Sequence, residues 1–128
     1  MADKVKQKKR VLVVDDEPKL LKFVEVKLKI CGYEVMTTTS GQEALNLAAT
    51  GHPDVMVLDI VMPEMDGFEV LRNLRTFSKL PVIVFSARAI NYDKITSLGA
   101  SDYLLKPFDP DELVRRIQRL TEGGNGKN

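Results

Sequence analysis

Cysteine and histidine each occur once in this chain, as Cys31 and His52. One cysteine excludes an internal disulfide and suits a reducing compartment. One histidine, in "GHPD" with no second His or Cys beside it, excludes the usual zinc-ligand spacings and reads as a loop residue. No apolar stretch approaches the roughly 20 residues that cross a bilayer, and the first residues lack the apolar core of a signal peptide. Charge of one sign is missing too: 19 Lys and Arg against 18 Asp and Glu leave a net charge of +1. No overall field then directs the chain to nucleic acid or an anionic membrane. The expectation is a cytoplasmic domain with no nucleic-acid and no membrane partner.

What is present fits one domain. The 128 residues are 44% hydrophobic and 29% charged, enough for one core. "MADKVKQKKR" concentrates Lys4, Lys6, Lys8, Lys9 and Arg10 in the first ten positions and reads as a solvated basic tail. "TEGGNGKN" reads as a Gly-rich tail or the stub of a linker.

Between them, five short β-branched or apolar runs recur at 11–15, 34–38, 55–59, 81–86 and 102–106. The first, third and fourth are nearly continuous in apolar residues, as strands covered on both faces are. Helical patterns separate the runs. Segment 17–31 stripes Leu21, Val24, Leu28 and Cys31 along one face. Ser40 with Glu43, and Asp66 with Glu69, read as capping boxes, the second heading a helix that buries Phe68, Leu71 and Leu74. Asp109, Pro110 and Glu112 open the clearest helix, striped by Leu113, Ile117 and Leu120, with Arg115, Arg116 and Arg119 on a solvated face or in a dimer contact. Gly32, Gly51, Gly99 and Gly123 fall where helices should stop. Segment 88–98 is short and polar, anchored only by Ile95 and Leu98. Five β-α units with right-handed crossovers make an α/β domain, an open parallel sheet with helices on both faces.

In such sheets the chemistry sits beyond the carboxyl ends of the strands. Asp15 and Asp16 end the first run and Asp59 ends the third. With strand order 2-1-3-4-5 those strands are neighbours, and three carboxylates converge. Like charges that close raise one another's pKa values unless a cation compensates. A hard divalent ion with oxygen ligands is the economical answer, and magnesium fits best. Lys106 ends the fifth run with an ammonium and Ser86 ends the fourth with a hydroxyl. One metal, one ammonium, one hydroxyl and one carboxylate nucleophile make a device for phosphoryl transfer. Asp59 is the preferred acceptor because it stands alone on its strand.

The segments "VLVVDDEP", "VLDIVMPEMDG", "VFSA" and "GASDYLLKPF", in that order, resemble the receiver domain of bacterial two-component response regulators. The resemblance spans Val11 to about Leu120 and implies a flavodoxin-like (βα)5 three-layer sandwich with a parallel five-stranded sheet of order 2-1-3-4-5. It divides the chain into a tail at 1–10, a receiver domain at 11–121 and a tail at 122–128. It implies phosphorylation of Asp59 by a sensor histidine kinase or phosphotransfer protein, in a magnesium-dependent reaction. Asp16, Asp59 and the backbone carbonyl of Val61 would bind the metal directly, Asp15 would act through water, and Lys106 would contact the phosphoryl oxygen. The Lys106–Pro107 peptide would be cis. Ser86 would carry the switch hydroxyl and Tyr103 the aromatic that rotates inward. These changes would alter the face built from the fourth helix, fifth strand and fifth helix, which could also form a homodimer. Val61 and Arg88 occupy positions that tune the phosphoryl lifetime, and valine, unable to orient a water, leans towards slow loss. Between Ser86 and Gly99 the chain is shorter than is usual in the family, which implies either an abbreviated fourth helix or a tightened loop before it.

Blander readings stand beside each of these. Asp15 and Asp16 could be a helix cap and its neighbour, Asp59 a turn residue, Lys106 a surface lysine, Ser86 a strand-end hydroxyl and Tyr103 a half-buried strand aromatic. Three rival functions share the architecture. A magnesium-dependent phosphatase of the haloacid-dehalogenase type wants a second Asp two residues after the nucleophile, where Val61 stands. A flavin carrier wants a Ser/Thr/Gly-rich phosphate loop where "DDEPK" offers carboxylates. A degenerate receiver used only for docking would have lost part of the acid–lysine set.

Overall fold

The computed structural model describes residues 8–62, 65–88 and 91–122. The basic segment 1–7, Pro63 and the Gly-rich end from Gly123 lie outside them. The elements alternate: β1 (Arg10–Val14), α1 (Pro18–Ile30), β2 (Glu34–Thr38), α2 (Gly41–Thr50), β3 (Val55–Asp59), α3 (Gly67–Leu74), β4 (Val82–Ser86), α4 (Tyr92–Ser97), β5 (Asp102–Leu105) and α5 (Pro110–Thr121). All paired strands are parallel, in the order β2-β1-β3-β4-β5. This is the flavodoxin-like sandwich that the resemblance implies.

Strand alternation sorts the apolar residues into two cores, one on each side of the sheet. Leu12, Val14, Met56, Leu58, Val82 and Val84 face Ala44, Leu45, Val70, Leu71, Leu74 and Ile95 from α2, α3 and α4. Val11, Val13, Val55, Val57, Ile83, Phe85 and Leu104 face Leu21, Val24, Leu28, Leu113, Val114 and Ile117 from α1 and α5. β1, β3 and β4 are covered on both faces, which is why their sequences do not alternate in polarity.

The helix ends depart from expectation in instructive ways. Ser40 accepts from Glu43 N as a cap should, but Glu43 does not reach back. Its carboxylate instead accepts from the Thr38 hydroxyl at 2.5 Å, and Thr38 Oγ1 accepts from Ser40 N, so β2 supplies the partner for the cap. Asp66 caps α3 by accepting from Glu69 N. Asp109 accepts from Asp111 N, while Glu112 takes hydrogen bonds from Arg115 and Arg116. Arg116 is no solvated residue: it pairs with Asp102 at 2.7 Å and donates to Tyr103 O, tying α5 to β5. Cys31 is exposed at the C-cap of α1 rather than filling the core. Phe68 is only half-buried, and Val70 takes the core place beside Leu71 and Leu74. Gly32 and Gly99 end their helices at φ of 96° and 99°, in the left-handed region open to glycine, whereas Gly51 stays right-handed at φ −92°. α4 has six residues, with Ile95 buried at its centre, so of the two alternatives it is the helix that is short.

Gly67 opens α3 against the segment that follows Asp59. Its N–H donates to Ile60 O at 2.8 Å, and a Cβ there would come within 2.4 Å of Ile60 Cα and 2.6 Å of Asp59 O. Both obstacles are backbone, so nothing can rotate away. Gly67→Ala should lose about 2 kcal/mol or more in urea unfolding with an unchanged m-value. A midpoint equal to wild type would mean that the helix start yields freely.

Candidate functional site

The carboxyl ends of β1, β3 and β5 meet at one edge of the sheet. Alternation decides what reaches it from each strand. Asp59 has the parity of Val55 and Val57, and Lys106 has that of Leu104, so both come to the side of α1 and α5. Ser86 and Tyr103 have the opposite parity, that of Val84, and Tyr103 packs against the core on the side of α2, α3 and α4. The acid–lysine group and the hydroxyl–aromatic pair thus lie on the two sides of one strand end.

Asp15, Asp16 and Asp59 each offer a carboxylate oxygen, and these atoms lie within 4.8 Å of one another. Asp15 is fully buried and Asp59 nearly so, at 4% exposure, while Asp16 faces solvent. Lys106 Nζ donates to Asp15 Oδ2 at 2.6 Å and lies 3.5 Å from Asp59 Oδ2. Asp15 Oδ1 accepts from Glu17 N at 2.8 Å, and Asp59 Oδ1 accepts from Val61 N at 3.1 Å. The Lys106–Pro107 peptide is cis. Burial pushes both the Asp15 and Asp59 carboxyls above their ordinary value, and the facing carboxylates add to the rise at Asp59. Lys106 offsets this only in part. Among the described residues one ammonium faces three carboxylates, which leaves the cluster short of positive charge.

That shortage decides what the arrangement can do. The donors are all carboxylate oxygens, which suit a hard cation rather than a thiolate- or imidazole-seeking one. The exposed Asp16 leaves the cluster open to solvent on one side.

Ser86 is fully buried, and its Oγ accepts from Arg88 N at 3.1 Å. Tyr103 is half-buried, with its hydroxyl donating to Arg88 O at 3.0 Å. The Arg88 side chain is exposed, and Val61 is 42% exposed beside Asp59. Every residue singled out in the sequence as a site residue therefore lies at this edge of the sheet. One participant was not foreseen: Phe85, whose ring lies under the Lys106 ammonium. Its signal was parity, since it stands opposite Asp59 in the β3–β4 register.

Comparison with known proteins gives a consistent outcome. A family model for the response regulator receiver domain matches residues 11–118. The probable transcriptional regulator ycf27 of Cyanophora paradoxa is 45% identical over 115 residues, covering 88% of this chain and 48% of that protein. The transcriptional regulatory protein KdpE of Mycobacterium tuberculosis is 46% identical over 110 residues, covering 84% of this chain and 49% of that one. The chain thus spans about half the length of the curated relatives it matches. Among solved structures, the receiver domain of Francisella response regulator 1452 superposes with a TM-score of 0.83 at 38% identity, covering 89% of this chain and 97% of that one. Response regulator TrrA of Thermotoga maritima, solved in complex with Mg(2+)-BeF, gives a TM-score of 0.80 at 35% identity, covering 88% and 98%.

Proposed function

This chain belongs to the response regulator receiver domain family, and from that premise we propose that Asp59 accepts a phosphoryl group in a magnesium-dependent reaction. It is a signalling switch of the two-component type. The observation that carries the proposal is the Lys106 ammonium held between Asp15 and Asp59 at 2.6 and 3.5 Å, beside a cluster of carboxylates. The partner is a sensor histidine kinase or phosphotransfer protein. An Asp59 carboxylate oxygen bonds to phosphorus as the bond from phosphorus to the donor breaks, and the donor leaves with that electron pair. Lys106 meets the charge on the transferring oxygens. Asp15, Asp16, Asp59 and the Val61 carbonyl would hold magnesium, which neutralises the acid cluster and the phosphoryl oxygens when bound. Ser86 turns its hydroxyl to the new phosphoryl group and releases Arg88 N. Tyr103 follows, and the face of α4, β5 and α5 changes as one packing gives way to another. Val61, whose N–H holds Asp59 Oδ1, and Arg88, whose N–H holds Ser86 Oγ, set how long the group lasts.

Intact mass is the direct test. With phosphoramidate and magnesium the protein should gain one phosphoryl group, and with a chelator it should gain none. Unchanged mass under both conditions would overturn the proposal.

Metal binding has its own readout. Asp15 and Asp59 have folded pKa values raised above their ordinary 3.8 by burial. A raised carboxyl binds more protons folded than unfolded, so it costs nothing below the unfolded value. Its cost grows as pH rises and is complete above the folded value. Magnesium should therefore raise Tm more at neutral pH than at about pH 4.5, where protons do the same work. Equal shifts at the two pH values would place the ion elsewhere.

A further inference from the structure

The ammonium of Lys106 has a neighbour besides its two carboxylates. Its Nζ lies 4.7 Å from the centroid of the Phe85 ring. Phe85 has no solvent exposure, sits opposite Asp59 in the β3–β4 register and opposite Leu104 in the β4–β5 register. The Phe108 ring meets it edge-on, 5.7 Å between centroids at 66°, which holds the plane of the Phe85 ring. The ring that bridges Asp59 and the fifth strand thus presents π density to the cation that serves Asp59.

The two kinds of contact constrain the ammonium differently. A carboxylate oxygen captures one N–H along a preferred direction. A ring face attracts the whole cation and does not prescribe where its three N–H bonds point. To serve a phosphoryl group the ammonium must loosen its hold on Asp15 Oδ2, now 2.6 Å away, without drifting into water. An aliphatic side chain at position 85 could fill the same volume but would give the cation nothing on that side.

We propose that Phe85 is a positioning residue for phosphoryl transfer, its ring face retaining the Lys106 ammonium at the site while the N–H donors turn from the carboxylates to the incoming oxygens. This rests on the phosphoacceptor reading of Asp59.

The test separates shape from π density. Mono-, di- and trifluorinated phenylalanine at position 85 of the full chain keep nearly the same size while drawing electron density from the ring face. The rate of phosphoryl uptake from phosphoramidate should fall stepwise along the series, by about tenfold overall, with magnesium affinity unchanged. Phe85→Leu should be slowed to a similar degree at temperatures where circular dichroism shows it folded. A flat fluorinated series on a phosphorylatable wild type overturns this inference alone, even if Phe85→Leu is slow, because the ring would then be only a filler. A wild type that takes up no phosphoryl group overturns the Asp59 reading and this inference with it.

Discussion

Asp59→Asn is expected to take up no phosphoryl mass from phosphoramidate and magnesium over a time that saturates wild type, and to melt at a higher temperature than wild type without metal. Both effects follow from one carboxylate. An amide oxygen carries no full negative charge and does not form an acyl phosphate, so the nucleophile is gone. The hydrogen bond from Val61 N, at 3.1 Å, survives because Asn Oδ1 accepts as Asp Oδ1 did. Lys106 keeps its shorter contact, 2.6 Å to Asp15. What disappears is a nearly buried negative charge facing Asp15 and Asp16, which burial and those neighbours already hold above its ordinary pKa. Removing a charge so placed should stabilise the metal-free fold by about 1 kcal/mol, or a few degrees in Tm. The sign depends on pH. A raised folded pKa means that the cost is present near neutrality and absent in acid, so the two melting curves should converge as pH falls. Phosphoryl uptake that persists in the variant would move the acceptor to Asp15 or Asp16.

The strands were legible because burial on both faces left them little freedom of composition. "VLVV" and "VIVF" have no polar side to confuse a reader, and their observed limits differ from the expected ones by single residues. The acid cluster was legible for a related reason. A carboxylate after such a run has nowhere to go but the strand tip, and three of them with a lysine share one edge. Interactions between elements distant in sequence were not legible. Nothing in "DPDELVRRIQRL" distinguishes Arg116, bound to Asp102 across α5 and β5, from Arg115, which stays on its own helix. Cys31 fell on the apolar stripe of α1 by count, but the helix stops there and the chain turns at Gly32, leaving the thiol outside. Glu43 had the spacing of a capping box, yet a buried Thr38 hydroxyl next to the cap offered a nearer partner.

Lys106→Met is expected to slow phosphoryl uptake by roughly a hundredfold while leaving magnesium binding unweakened. It is also expected to lose about 3 kcal/mol of stability near neutral pH without metal. The side chain is similar in length and apolar, so the stem that runs to the site is kept and the charge alone is lost. Among the described residues, fully buried Asp15 then has no cation within reach and retains only the hydrogen bond from Glu17 N. Its folded pKa, already raised by burial with Lys106 present, must climb further. The stability loss is therefore greatest at neutral pH and above, and fades as falling pH protonates Asp15 in the folded state. Adding Asp15→Asn to Lys106→Met should recover much of the lost stability and none of the lost rate, because the amide removes the stranded charge without replacing the ammonium. Recovery of both would mean that Lys106 serves the site only by neutralising Asp15. A Lys106→Met protein as stable as wild type at all pH values would show that water already reaches Asp15.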